Sequence, residues 1–267
     1  MFVAFHQLPL AGMFAAVLAI CLAMGWLVIG LVRILVPLAG FWLDEPLPIR
    51  DSLVGACGAL FALILAFSAA GIWNDAVAAR NAVQREADAI ENALVLSASL
   101  PEETQAVLAE DLRAYLKEVV ATDWPAMAQS RPVEDPIFDR SEKHLLLAIR
   151  LVSRHLSAAA APAAYIPLLN QILDVRHARL ARLSASNAGI SWAQWVAMWL
   201  ISAATLLVIA VCNSHSFRMQ VLATHIYVAV ISAAYFVILA HDRPFVGVVS
   251  IQPAAIQTLL PRETDRP

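Results

Sequence analysis

The sequence has little charge and few cysteines. Charged residues make up 15% of the 267 residues, hydrophobic residues make up 60%, and the formal net charge is −3. Soluble domains average about 25% charged residues. Lys and Arg form no run, which argues against a nucleic-acid partner. The three cysteines, Cys21, Cys57 and Cys212, are odd in number and lie within or at the end of apolar segments, so a disulfide framework is not expected.

Motifs for catalysis and metal binding are also missing. The sequence contains no glycine-rich phosphate loop, no Gly-x-Ser-x-Gly elbow and no Cys-x-x-Cys. The pairs Cys212/His215 and His144/His155 have neither the spacing nor the acidic companion of a zinc site. The sequence therefore predicts a protein that is not an enzyme and that has neither a cofactor nor a metal site.

Long apolar runs dominate the chain, whose mean hydropathy is +0.69. Each run is close to the roughly 20 residues that a membrane-spanning helix needs. The first lacks a basic segment before it and is too long for the apolar core of a signal peptide, so it is predicted to be a retained anchor. The four runs are Leu8–Val32, Leu53–Trp73, Ile190–Cys212 and Val221–Leu239.

The second apolar run continues into an amphipathic segment without a proline or a loop. An apolar stripe with helical spacing follows Trp73, at Ala79, Val83, Ala87, Ile90 and Leu94. Leu53–Leu100 is therefore predicted to form one helix that crosses a bilayer and continues into water, spanning about 70 Å. This arrangement is typical of an oligomeric channel or of a membrane-anchored helical bundle.

The insert Asn74–Gly189 carries 12 of the 18 basic and 15 of the 21 acidic residues. Helical patterns predict three further helices, over about Pro101–Val120, Ser141–Ser157 and Pro162–Ser184. Thr122–Pro136 contains three prolines and is predicted to be a loop. The fold class is thus all-α, with four transmembrane helices and a helical insert between spans two and three. The predicted domains are 1–73 (first transmembrane pair), 74–189 (insert continuous with the second span), 190–240 (second transmembrane pair) and 241–267 (C-terminal segment).

Basic residues near the ends of the spans predict the orientation. Eight lie on the insert side, namely Arg80, Arg85, Arg176, Arg179, Arg182, Arg243, Arg262 and Arg266. Three lie on the opposite side, namely Arg33, Arg50 and Arg218. Both termini and the insert are therefore predicted to be cytoplasmic, and the protein to be a multi-pass protein of the bacterial inner membrane.

Two segments resemble the bacterial bestrophin-like family, which is distantly similar to bestrophin anion channels. Leu63–Val83 (LILAFSAAGIWNDAVAARNAV) is similar to the second helix of that family, in which an apolar stretch ending in Phe leads through a polar turn to an Ala-Arg pair, here Ala79 and Arg80. His241–Pro253 (HDRPFVGVVSIQP) is similar to the signature that closes the family. Helix order agrees as well, so the resemblance covers nearly the whole chain.

The resemblance implies a homo-oligomer in the lipid bilayer, a pentamer in true bestrophins, whose second helices surround a pore. It places the pore neck at Ala59, Leu63 and Phe67, which lie four residues apart and therefore share a helix face. Such apolar rings gate by dewetting. Ala59 is smaller than the residue expected there. The acidic run that binds calcium in animal bestrophins is represented only by Asp242, so calcium gating is not predicted.

Charged residues beside the spans complete the candidate sites. Asp75 and Arg80 are predicted at the cytoplasmic exit of the pore. The C-terminal motif comprises Asp242, Arg243, Pro244, Phe245 and Gly247. It has two interpretations: a structural helix end with a local Asp-Arg ion pair, or a contact in which Arg243 reaches the base of the second helix of the same or a neighbouring subunit, with Asp75 as one possible partner.

Two functions are consistent with these features. The first is an oligomeric ion channel with an apolar neck, in which an anion, chloride by resemblance, is the favoured permeant ion. The second is a membrane-anchored helical module, without a pore, that binds a partner or senses envelope stress. The mixed charge at the pore exit leaves the selectivity of the channel open.

Overall fold

The computed structural model describes residues 3–6, 8–38, 50–156 and 164–260, and its regular elements within those ranges are helices. The α-helices are α1 (Val3–His6), α2 (Leu10–Leu38), α3 (Arg50–Ser97), α4 (Glu102–Glu118), α5 (Trp124–Ala128), α6 (Asp139–Leu156), α7 (Tyr165–Ser186), α8 (Trp192–Cys212), α9 (Phe217–His241) and α10 (Ala254–Gln257). A π-helical turn, Val119–Asp123, joins α4 to α5, and a 3₁₀ turn, Pro136–Phe138, precedes α6.

Four of these helices, α2, α3, α8 and α9, are long and apolar enough to cross a membrane. They correspond to the four apolar runs of the sequence. The prediction of a single helix over Leu53–Leu100 is confirmed, because α3 is unbroken for 48 residues. The chain divides into an apolar unit, Met1–Asn74 with Gly189–Asp242, and a polar unit, Asp75–Ala188 with Arg243–Pro267.

The apolar unit is built around close packing of α2, α8 and α9. Its buried side chains include Cys21, Met198 and Ile231. One pair of polar side chains inside it is hydrogen-bonded: the Ser202 and Tyr235 hydroxyls lie 2.8 Å apart. Such pairing is required where water does not reach the backbone or side chains.

Helix ends in the apolar unit also satisfy their polar groups. Ser191 and Gln194 form a reciprocal capping box at the start of α8, which satisfies amide groups that the helix itself leaves unpaired. Arg33, near the end of α2, donates from Nε to Oε1 of Gln220 at 3.0 Å and lies 5.1 Å from the centre of the Phe217 ring. Arg33 is exposed at the end of α2, and its side chain also contacts two side chains of α9.

Gly25 permits the close approach of α2 to α9. A Cβ atom added there would lie 3.0 Å from Cγ2 of Val228 and 3.2 Å from Cγ2 of Thr224. We expect Gly25→Ala to lower the free energy of unfolding by about 1–3 kcal/mol, because overpacking forces neighbours to shift. Thermal unfolding in detergent measures the change. Gly30→Ala on the same helix is the matched control, because its Cβ would meet nothing within 4 Å; equal effects of the two changes would contradict the packing argument.

The polar unit is a helical bundle with its own core. Leu108, Leu112, Leu145 and Ile172 are fully buried in it. The stripe predicted on the second half of α3 is confirmed: Ala79, Val83, Ala87 and Ile90 are buried and Leu94 is partly buried. The amphipathic pattern on this half of α3 thus indicates which of its side chains are buried in the bundle.

The loop predicted over Thr122–Pro136 is wrong in its first half. The chain continues from α4 through the π-helical turn into α5 before it leaves the helix at Gln129. Pro125 lies in the first turn of α5, where the missing amide hydrogen is not needed for a helical bond. The predicted start of α6 at Ser141 and the predicted end of α7 at Ser184 each lie two residues from the observed ones. The predicted end of α6 at Ser157 and the predicted start of α7 at Pro162 lie outside the described residues.

Candidate functional site

The apolar half of α3 is the least covered of the four apolar helices. Only 11% of its most apolar segment is buried, against 33% for α2, 39% for α8 and 33% for α9. A Cβ atom at Gly55 or Gly58 would meet nothing within 4 Å. The polypeptide itself therefore leaves most of this helix surface to lipid or to other copies of the chain.

The three predicted neck residues lie on the uncovered surface. Phe67 is 67% exposed, Leu63 is 51% exposed and Ala59 is also exposed. The opposite face is the packed one: Phe61 is buried with its ring edge-to-face against Tyr235 at 6.1 Å. The geometry places Ala59, Leu63 and Phe67 on one apolar face that the described part of their own chain leaves largely uncovered.

The two residues predicted at the pore exit lie just beyond this segment. Asp75 is half-buried and Arg80 is exposed. Within the described ranges, the ion pairs of the polar unit do not include an Asp75–Arg243 contact. Arg243 and Asp75 of the same chain thus form no ion pair in the described part of the structure, and a contact of Arg243 with the second helix of a neighbouring subunit stays a prediction.

The C-terminal motif has a structural role at the end of α9. Asp242 is buried, and its Oδ1 accepts a hydrogen bond from the backbone amide of Ile190 at 2.6 Å. This bond connects the segment before α8 to the end of α9. The carbonyl of Pro244 accepts from the amide of Ile251 at 2.8 Å, and Gly247 has a φ of 86°. Glycine is the residue that adopts this left-handed conformation at no steric cost.

Phe245 anchors the C-terminal segment in the polar unit. It is 1% exposed, and its ring meets that of Trp124 edge-to-face at 5.6 Å. The indole nitrogen of Trp124 donates to the carbonyl oxygen of Ile251 at 3.1 Å. The motif that follows the last apolar helix thus completes the core of the bundle.

A buried ionic cluster fixes the second half of α3 to α7. Arg182 is fully buried and donates from Nε to Oε2 of Glu86 at 2.6 Å and from Nη2 to Oε1 at 3.1 Å. The hydroxyl of Tyr115 also donates to Glu86. Nη2 of Arg182 bonds Oδ2 of Asp123 at 3.2 Å, and the guanidinium lies 5.3 Å from the ring centre of Trp124. Arg182 thus pairs with both carboxylates, through two hydrogen bonds with Glu86 and one with Asp123.

The cluster extends to a second arginine and to α6. Both carboxylate oxygens of Asp123 accept from the Ser141 hydroxyl at 3.0 Å. Arg179 donates from Nη2 to that hydroxyl oxygen at 3.1 Å and from Nη1 to Glu142 at 3.0 Å. Arg176 lies at the edge of the cluster, and its Nη2 is 2.9 Å from Oε1 of Glu142. Acidic and basic side chains thus alternate across α3, the π-helical turn, α6 and α7.

Burial raises the pKa of Asp123, and the positive charges of Arg182 and Arg179 partly offset this rise. Burial also raises the pKa of Tyr115 well above its usual value, with the Glu86 carboxylate acting in the same direction. Burial works to lower the pKa of Arg182, but Glu86, Tyr115 and Asp123 together raise it above its ordinary value. The arginine is therefore a permanent cation in this core, and together with Arg179 it balances the carboxylates of Glu86 and Asp123.

This cluster was not predicted from the sequence. Arg179 and Arg182 were counted among the basic residues that flank a span, yet both are buried and paired. A signal was present: Glu86 falls between Val83 and Ile90 on the apolar stripe of α3, and a charge in a core stripe requires a buried partner. Within the described residues, no group of three His, Cys, Asp or Glu side chains is arranged to hold a metal ion.

Comparisons with known proteins agree with this architecture. A family model described as the Bestrophin-like domain matches residues 48–256. The chain is similar to a crystal structure of a bacterial bestrophin homologue from Klebsiella pneumoniae carrying a point mutation, with 15% identity, coverage of 92% of this chain and 97% of that chain, and a TM-score of 0.64. A second variant of that homologue gives 14% identity, coverage of 91% and 95%, and a TM-score of 0.66. No curated protein matches.

Proposed function

Because this chain belongs to the Bestrophin-like family, we propose that it assembles into a homo-oligomer in which α3 lines an ion-conducting pore. The observation that carries the proposal is the free apolar face of α3, where Phe67 and Leu63 are more than half exposed while the opposite face packs on its own chain. A helix with one packed and one uncovered apolar face is suited to surround an axis with identical copies of itself.

Ala59, Leu63 and Phe67 form the neck of this pore. Repeated around an axis, they make stacked rings without hydrogen-bonding groups, and ions must lose part of their hydration to pass them. Such a constriction closes when water leaves it and needs no bound ligand. A pentameric assembly and a preference for anions, chloride above all, are parts of the proposal that the family resemblance supports.

The orientation is proposed from the basic residues near the ends of the spans. Arg179 and Arg182 are buried in the ionic cluster, so the assignment depends on the other basic residues near the span ends. We place both termini and the polar unit in the cytoplasm of a bacterial cell, with the four apolar helices in the inner membrane.

The test is the current across planar bilayers that contain the purified oligomer under a salt gradient. Replacing both Leu63 and Phe67 with alanine is expected to increase the current by about an order of magnitude, because a wider and less apolar neck stays wet for longer. Cross-linking of the purified protein establishes in parallel that an oligomer is present.

Two further variants separate a pore from its alternatives. Trp73→Ala shortens another exposed side chain of α3 that lies on a different helix face from Phe67, and it is expected to leave the current unchanged. Unchanged current in the Leu63→Ala, Phe67→Ala variant, with the oligomer intact, would contradict the neck. Absence of current from the wild type and from every variant would instead favour a membrane-anchored interaction module without a pore.

A further inference from the structure

The second half of α3 and α7 enclose an open polar groove within the polar unit. Its volume is about 660 Å³. Small side chains of both helices form its floor, and polar side chains form its rim. The residues of the rim are Asn81, Arg85, Asp88 and Asn92 of α3 with Asp174 and His177 of α7.

The α3 side of this groove continues the face that carries the proposed neck. Arg85 follows Phe67 by 18 residues, which is five turns at about 3.6 residues per turn. Asp88 follows Leu63 by 25 residues, or about seven turns. Arg85 and Asp88 therefore share the helix face of Phe67 and Leu63, and both are exposed.

The residues predicted earlier at the pore exit do not share this face. Arg80 follows Phe67 by 13 residues, about three and a half turns, and so points to the opposite side of α3. Asp75 follows Phe67 by eight residues, just over two turns, and is turned away from the face by roughly a quarter of a circle. Their charges are therefore poorly placed to meet an ion that has passed the neck.

We propose that Arg85 and Asp88 determine whether the pore prefers anions or cations, an inference that rests on the proposed function. Ala59, Leu63 and Phe67 carry no charge, so dehydration at the neck penalises ions of both signs. The sign of the permeant ion is then set by charges beside the neck, because a charged cleft raises the local concentration of the opposite ion. Arg85 is the cation in this groove, and it attracts a small inorganic anion.

The acidic side chains of the groove oppose Arg85. Asp88 lines the groove and accepts a hydrogen bond from Nε2 of Gln84 at 2.8 Å. Across the groove, Oδ1 of Asp174 lies 3.9 Å from Nδ1 of His177. Asp174 lies on α7, whereas Asp88 shares the face of α3 with Arg85. The balance between the charges of Arg85 and Asp88 therefore decides whether the pore prefers anions or cations.

The experiment measures the reversal potential of the full-length oligomer in planar bilayers under a KCl gradient. We expect Arg85→Ala to lower the permeability of chloride relative to potassium by about twofold or more, and Asp88→Asn to raise it by a similar factor. Arg80→Ala and Glu110→Gln are controls, because both residues are exposed but Arg80 lies off this face of α3 and Glu110 lies on α4. All four variants alter exposed side chains and are expected to fold.

The outcomes distinguish this inference from the proposed function. Opposite shifts for Arg85→Ala and Asp88→Asn, with no shift for the controls, would support it. Wild-type reversal potentials in both variants, or equal shifts in the controls, would overturn it while leaving a conducting pore. Absence of current from these proteins and from the Leu63→Ala, Phe67→Ala variant would overturn the pore and the inference together.

Discussion

Replacing Glu86 with leucine is expected to lower the free energy of unfolding of the polar unit by about 3–5 kcal/mol, because it leaves the buried guanidinium of Arg182 without its bidentate partner. Glu86 accepts two bonds from Arg182 and one from Tyr115, and neither Glu86 nor Arg182 is exposed. The Tyr115 hydroxyl would lose its acceptor as well. The loss is a large share of the roughly 5–15 kcal/mol by which a domain is stable.

Thermal unfolding of the detergent-solubilised protein checks this expectation. The apparent Tm of Glu86→Leu should fall by on the order of 10 °C relative to the wild type. The matched control is Glu91→Leu, which changes an exposed carboxylate on the same helix and should cost less than about 0.5 kcal/mol. A Tm for Glu86→Leu that equals that of the control would contradict the structural role of the cluster.

A double variant tests whether the pair acts as a unit. Arg182→Met combined with Glu86→Leu removes both charges of the pair, and its loss of stability should be smaller than the sum of the two single losses. The difference arises because each single variant leaves one buried charge uncompensated. Additive losses would show that Glu86 and Arg182 stabilise the bundle independently of each other.

The apolar half of the architecture could be predicted because its signals are local. Apolar runs of spanning length gave four helices of the expected type, and the absence of proline between Leu53 and Leu100 predicted the continuous α3. The amphipathic stripe on the second half of α3 predicted which side chains would be buried. Length, periodicity and helix-breaking residues are properties of the chain itself and do not depend on its neighbours.

The π-helical turn could not be predicted in the same way. Three prolines in Thr122–Pro136 suggested a loop, yet Pro125 is compatible with the first turn of a helix. The turn Val119–Asp123 ends with Asp123 buried beside Arg182. The π-helical geometry of this segment thus occurs together with contacts to α6 and α7, and the composition of the segment alone does not predict it.

The candidate site was predicted only in part. Helical spacing placed Ala59, Leu63 and Phe67 on one face, but spacing does not say whether a face is buried or free. The structure adds that this face is free within one chain. The ionic cluster was missed because it joins residues that are far apart in sequence, for example Glu86 and Arg182, and partner choice over such distances depends on the fold.

Attaching a charged group to position 67 is expected to block the current. If Phe67 forms the last ring of the neck, a Phe67→Cys side chain in every subunit faces the path of the ions, and a positively charged thiol reagent would occlude that path. We expect at least about a tenfold loss of current, because charged adducts fill a constriction that already limits conduction. Cys21, Cys57 and Cys212 form no disulfide in the described part of the chain and are replaced by alanine in the parent protein.

Trp73→Cys supplies the matched control for this experiment. Phe67 and Trp73 are both 67% exposed on α3. Six residues separate them, about one and two-thirds turns, so Trp73 lies on a different face of the helix. Because the two side chains are equally exposed within one chain, the reagent should reach both positions equally well in a single subunit. The two positions therefore differ in the face of α3 on which they lie.

The most direct test of the pore is therefore the current through cysteine-free oligomers carrying Phe67→Cys or Trp73→Cys, recorded before and after a water-soluble, positively charged thiol reagent is added. A pore lined by α3 predicts loss of most of the current at Phe67→Cys and little change at Trp73→Cys or in the cysteine-free parent. Full current at Phe67→Cys after complete modification, verified by mass spectrometry, would contradict a pore at this face of α3.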